Sequence, residues 1–286
     1  MVNSAFLESL FGLEKRKILI TGGTGVLGGE MAEGLAKAGA SVTITGREDK
    51  RTEKRASELS DHCGAEISAL AMDVTKEDSI AAAATELASR INELDVLINC
   101  AGANRAEATV GPDGNMEDVS MEQFHRLLKL NASSIWGVTI KMLPLLRVSD
   151  HPSIITIGSM AAGDCPLTRV AAYASGKSAA HNLTKWMSTE LNKGNKKDFR
   201  VNGIVPGFFA TKQNWELLIN EPFGTPFSDV TFTDRGQAII QQTPLGRFGK
   251  PEELLSVAIL LSSATATSFI NGELIAVDGG FSSFSV

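Results

Sequence analysis

Residues 17–28 read KILITGGTGVLG: a short apolar run with the composition of a strand, a glycine turn, then the start of a helix. Few architectures can bury such a piece. A continuously apolar strand must be covered on both faces, which points to a parallel sheet between two helical layers. The glycines let the backbone turn tightly beneath a helix N-terminus, where free N–H groups and partial positive charge suit a pyrophosphate. Gly23-x-Gly25-x-x-Gly28 meets the dinucleotide spacing in the strand–turn–helix setting it requires. The competing reading is a glycine turn that only packs helix on strand.

The same unit recurs along the chain. Strands are predicted over Lys17–Thr21, Ser41–Thr45, Glu66–Met72, Asp95–Asn99, Ser153–Ile157, Phe199–Val205 and Glu273–Val277. Helices are predicted over Leu27–Ala38, Glu48–His62, Lys76–Asn92, Ser120–Leu146, Ala172–Asn192 and Pro251–Ser262. This alternation predicts an α/β fold, a Rossmann-type doubly wound parallel sheet, in one domain over residues 1–286. Two stretches break the rhythm, Asn104–Asp118 and Lys212–Thr243. The second lies in a substrate-loop insertion expected over residues 207–250, since long connections in compact α/β domains are usually lids or binding loops.

Charge and composition remove several classes of function. A net charge of −6 argues against nucleic acid as the main partner, since phosphate binding needs a basic face. No apolar run approaches the roughly 18 residues of a membrane span. Cys63, Cys100 and Cys165 are odd in number and widely spaced, and His62, His125, His151 and His181 lack ligand spacing, so neither a disulfide framework nor a metal site is expected. Met1–Lys17 has no secretory pattern, and a reducing, cytoplasmic location is expected.

Two further positions carry chemistry. At the end of the second strand an NAD site usually places a carboxylate on the ribose hydroxyls. Here Gly46-Arg47 offers none, and the guanidinium can pair with a 2′-phosphate, which favours NADP(H) and leaves NAD(H) open. The alternative is a solvated arginine beside Glu48 and Asp49. Tyr173-Ala174-Ser175-Gly176-Lys177 puts an i, i+4 pair on one helical face. An ammonium there favours the phenolate, so Tyr173, the only tyrosine in the chain, is a candidate general acid/base. Alone, a tyrosine and a lysine at this spacing are common by chance.

Taken together, the motifs resemble the short-chain dehydrogenase/reductase family over essentially the whole length. They are Thr21-Gly22 through Gly28, Asp73-Val74, Asn99-Cys100-Ala101-Gly102, Asn131, Ser159, Tyr173 with Lys177, Pro206-Gly207 with Thr211, and Asp278-Gly279-Gly280. The nearest likeness is to the D-mannonate/fructuronate oxidoreductase-like group, through residues 22–29, Pro206-Gly207-Phe208-Phe209 and residues 246–253. The resemblance implies an NAD(P)(H)-dependent oxidoreductase moving a hydride between nicotinamide and a carbonyl or secondary alcohol. It makes Asn131, Ser159, Tyr173 and Lys177 catalytic. It gives the cofactor Gly22, Thr24, Gly25, Val26, Leu27, Gly28, Arg47, Asp73, Val74, Asn99, Ala101, Gly102, Tyr173, Lys177, Pro206, Gly207, Phe209 and Thr211.

It also implies a homotetramer whose helices bearing Asn131 and Tyr173 pack across one dimer interface. The chain departs from the family pattern at Val26, at Cys100, where a second asparagine is usual, and at Gly158, where a serine often precedes the catalytic one. Arg105, Arg169 and Lys212, with the amides of Gln213 and Asn214, suit a small polyhydroxy acid such as D-fructuronate or D-mannonate. A 3-oxoacyl-thioester reductase, a polyol dehydrogenase, or a non-catalytic dinucleotide sensor are the other readings.

Overall fold

The computed structural model describes residues 4–111, 113–163, 167–194, 198–212 and 214–283. Cys165 and Gln213 lie outside the described residues. Seven strands form one parallel sheet: β1 (Lys17–Thr21), β2 (Ser41–Gly46), β3 (Ile67–Ala71), β4 (Val96–Asn99), β5 (Ser153–Ile157), β6 (Arg200–Pro206) and β7 (Leu274–Val277). Their order is β3-β2-β1-β4-β5-β6-β7. The order reverses between β1 and β4, and the crevice outside the strand ends at such a switch point is where α/β sheets bind ligands.

Period-two alternation divides the core between the two faces. Ile18 and Ile20 of β1 and Val96 and Ile98 of β4 turn to one face, with Met31, Leu35, Ala258 and Leu261. Leu19 and Leu97 turn to the other, with Leu87, Val138, Met142 and Met187. The helices that supply these residues are α2 (Val26–Lys37) and α10 (Leu255–Ser262) on the first face, and α4 (Glu77–Arg90), α6 (Ser134–Leu146) and α7 (Ala171–Glu190) on the second. The charged helix α3 (Asp49–Cys63) follows β2 and ends at Gly64, whose φ of 70° suits glycine.

The long helix expected over Ser120–Leu146 runs unbroken but is not α-helical throughout. It is α5 (Met121–Leu128), a π-helical turn over Lys129–Ser133, then α6. Asn131 sits in the widened turn, and its Nδ2 donates to the Leu127 carbonyl at 3.1 Å. Such turns are rare and recur at functional sites. Residues 4–11 form a helix, α1 (Ser4–Phe11), that the sequence pattern does not predict; it buries no residue. The insertion after β6 carries two short helices, α8 (Trp215–Leu218) and α9 (Asp234–Gln242), around a small apolar cluster of its own.

Candidate active site

The chemistry-bearing residues gather at the C-terminal ends of β1, β4 and β5. Register sets Thr21 beside Asn99. The Thr21 hydroxyl accepts from the N–H groups of Cys100 and Ala101, each at 3.0 Å, tying the two strand ends together. Gly22 has φ 68°, and a Cβ there would lie 2.8 Å from the Ala101 Cα. Gly28 is as constrained: a Cβ would meet the Gly22 carbonyl oxygen at 2.5 Å. The turn therefore closes only with glycine at both positions.

Above it, Gly25 and Val26 are exposed while Leu27 and Thr24 are half-buried. The N-terminus of α2, capped by Gly25, receives no side-chain hydrogen bond. A helix N-terminus without a side-chain cap, over a glycine turn, fits the pyrophosphate of a dinucleotide.

Farther along the strand ends, Arg47 is exposed and makes no ion pair among the described residues. Its charge bears on Asp73, at the neighbouring strand end. Burial alone would raise the Asp73 pKa, but hydrogen bonds from the Thr75 hydroxyl and N–H, then Lys76 and Arg47, bring it below its ordinary value. Gly46 has a steric reason beyond the missing carboxylate. A Cβ there would lie 2.4 Å from the Thr52 Oγ1 and 2.6 Å from the Thr24 Cγ2. Val74 is buried against the core, and the Asn99 amide donates to the Thr139 hydroxyl at 3.3 Å.

The four residues expected to be catalytic come from three segments. Asn131 is fully buried, its amide bonded to both backbone groups of Ala103: Oδ1 accepts the N–H at 3.1 Å and Nδ2 donates to the carbonyl at 2.9 Å. Lys177 is 4% exposed and donates to the Ile157 carbonyl at 2.7 Å, with its Nζ 5.8 Å from the Tyr173 ring centroid. Gly102 brings these elements together. A Cβ on it would lie 2.8 Å from Asn131 Oδ1 and 3.1 Å from Lys177 Nζ, and one on Gly176 would lie 2.9 Å from the Asn131 Cβ. Ser159 follows β5, and its Oγ accepts from the Ala161 N–H at 3.2 Å, leaving the hydroxyl hydrogen to donate elsewhere. The Lys177 charge is felt nearby: burial pushes the Cys100 thiol up to about 11, against the pull of Lys177.

Residues 207–211 lie at the root of the insertion. A Cβ on Gly207 would lie 2.6 Å from the Asp278 Cα, and Phe209 is buried with its ring against Gly249. The Thr211 N–H and hydroxyl both donate to the Asn214 Oδ1. Arg105 and Lys212 are exposed. Arg169 adopts φ 71°, unusual for a non-glycine residue, and its Nε donates to the Val110 carbonyl at 2.6 Å. Sequence reasoning missed Arg235, on α9, whose pKa is lowered by burial and then by the charge of Arg169. It also missed His181, although His181 lies at helical spacing from Tyr173 and Lys177.

Comparison with known proteins gives the family. The family model described as enoyl-(acyl carrier protein) reductase, one of the short-chain dehydrogenase/reductase models, matches residues 25–282. An uncharacterised oxidoreductase of Bacillus subtilis, UxuB, is 34% identical over 281 residues, covering 96% of this chain and 97% of the relative. A solved Haemophilus structure with bound NAD, assigned as a D-mannonate oxidoreductase, superposes with TM-score 0.84 at 30% identity, over 98% of this chain and 99% of that one. A gluconate 5-dehydrogenase from Burkholderia cenocepacia, in complex with NADP and tartrate, gives 0.82 at 28% identity, over 98% and 100%. The chain belongs to the short-chain dehydrogenase/reductase family. It is an NAD(P)-dependent oxidoreductase acting on CH–OH groups.

Proposed function

We propose that this oxidoreductase interconverts a sugar acid and its keto form, with D-fructuronate/D-mannonate the first pair to test, and that it prefers NADP(H). The observation that carries the catalytic assignment is the convergence of Asn131 and Lys177 on Gly102, with Tyr173 one helical turn before the lysine. The bound dinucleotide supplies or accepts the hydride. In the reducing direction Tyr173 gives its phenolic proton to the substrate oxygen, and the Lys177 ammonium stabilises the phenolate left behind. The Ser159 hydroxyl donates to the same oxygen and stabilises the charge that develops there. Asn131 sets the wide turn beside Lys177 and connects it to the Ala103 backbone.

Two features support an acid substrate. Arg235, on the insertion, has its pKa lowered first by burial and then by the charge of Arg169, from the segment before α7. A carboxylate between the two guanidiniums would offset their like charge and take charge-assisted hydrogen bonds. Asn104, half-buried near Thr109, has an Oδ1 with no partner among the described residues and can accept from a hydroxyl. NADP(H) preference rests on Arg47, which is exposed and has no ion pair among the described residues. We take the chain as one domain with its substrate loop over residues 207–250, working in the cytoplasm as a homotetramer. The exposed Trp136 and Trp186, 5.7 Å apart on α6 and α7, suit one dimer interface of that assembly.

The test is a turnover screen of sugar acids, polyols, keto acids and 3-oxoacyl thioesters with NADPH and with NADH. Turnover confined to the carboxylated sugars is expected. Equal use of uncharged polyols, or selective use of a thioester, would overturn the acid reading and leave the hydride-transfer class intact.

A further inference from the structure

Gly158 departs from the family pattern, and His181 stands in no recognisable motif, yet the fold makes each the condition of the other. Tyr173, Lys177 and His181 follow at i, i+4 and i+8 on α7, so they share one face of the helix. At the third position the imidazole reaches the end of β5. A Cβ on Gly158 would lie 2.2 Å from His181 Nε2 and 2.7 Å from its Cδ2. Only glycine lets the ring come so near. In that place Nε2 accepts the Ser159 backbone N–H at 3.3 Å. Ser159 is thereby held at two points, its N–H by His181 and its Oγ by the Ala161 N–H.

We propose that His181 is a positioning residue: its neutral ring takes the Ser159 N–H and so sets where the Ser159 hydroxyl meets the substrate oxygen. The inference rests on the role assigned to Ser159 under the proposed function.

The ring must be neutral for this. An imidazole that accepts at Nε2 carries its hydrogen on Nδ1, and a proton on Nε2 turns acceptor into donor, facing the Ser159 N–H. The surroundings keep that proton off. Burial first, then the charges of Lys177 and Lys185, hold the His181 pKa down at about 4. The other elements packed here are the end of β5 with Gly158, the Met160–Ala162 turn, and the end of β6 at Val205. Among the described residues they bring no ionisable side chain against the ring.

The experiment is a double-mutant cycle on the whole enzyme with NADPH and D-fructuronate, or the best substrate of the screen above. Wild type, His181→Ala, Ser159→Ala and the double variant are compared for kcat, KM and cofactor affinity. His181→Ala should lower kcat roughly ten-fold, as for coupled residues in contact, with cofactor affinity unchanged. The same substitution should cost almost nothing once Ser159 is alanine. Losses that multiply independently overturn the proposal. Full activity in Ser159→Ala instead overturns the Ser159 role, a separate failure.

His181→Gln keeps an acceptor and does not titrate, so it guards against a fold defect in the alanine variant. It should recover most of the kcat. It should also lack the acid limb that wild type shows as pH falls toward about 4, where Nε2 takes its proton. Identical acid limbs in the two proteins overturn the proposal.

Discussion

The catalytic platform and the strap above it, residues 207–250, are held by different means. On the platform, polar side chains lock onto backbone: Asn131 onto Ala103 and Leu127, Lys177 onto Ile157, Thr21 onto Cys100 and Ala101. These bonds join strand ends already fixed by a sheet buried on both faces. The strap instead folds around one aromatic residue. Trp215 is 4% exposed and donates to the Glu221 carbonyl at 2.7 Å, with Phe223 and Phe227 packed edge-on at 5.2 and 5.4 Å. Both phenylalanines are themselves largely exposed. The two ends of the strap close on each other, where Gly249 donates its N–H to the Phe208 carbonyl at 2.9 Å and packs against the Phe209 ring; the strap joins the platform where the Gly207 N–H donates to the Val277 carbonyl at 3.0 Å.

The lesson concerns rigidity. Chemistry needs groups held to fractions of an ångström, which hydrogen bonds to a buried backbone provide. A segment packed around a small satellite core is held less tightly and can yield on binding, which suits the substrate loop proposed above.

Variants can break this division or sharpen it. The largest expected effect is on the platform. Tyr173→Phe removes a proton donor and no packing, so kcat should fall by about 10²–10⁴-fold, with cofactor affinity and melting temperature near wild type. Near-normal turnover in that variant would mean the proton comes from elsewhere.

Next comes the exposed edge of the platform. If Arg47 pairs with a 2′-phosphate, Arg47→Ala should lose about 1.5–3 kcal/mol of NADPH binding, roughly ten- to a hundredfold, while NADH use changes little. The ratio of kcat/KM for the two cofactors measures this; a wild-type preference for NADH would refute the charge argument. The reverse design, a carboxylate at position 46, is a poor test, because a side chain there collides with Thr24 and Thr52.

The smallest kinetic effect should come from the strap. Trp215→Ala should raise substrate KM by roughly ten-fold, about 1.4 kcal/mol, and speed proteolytic cleavage within residues 207–250. Cofactor affinity should hold. A matching loss of cofactor affinity would show that the strap and the platform are one cooperative unit.

Much of the platform was legible in the chain itself. Apolar runs of strand length point to strands covered on both faces, and their alternation with amphipathic helical segments favours a parallel sheet between two helical layers. The glycines of residues 22–28 declare a turn that no side chain can enter, and the spacing of Tyr173 and Lys177 declares one helical face. These signals are local, set by backbone sterics and by the pitch of a helix. What only the tertiary structure decided depends on residues far apart in the chain. The π-helical turn is drawn inward by bonds from Asn131 to Ala103, 28 residues away. Gly46 is required by Thr24 and Thr52 on neighbouring elements, Arg235 meets the field of Arg169 only once the insertion folds back, and His181 reaches Ser159 because Gly158 leaves the space. No periodicity encodes such meetings, because they arise where separate elements pack and each side chain takes whatever partner that packing brings.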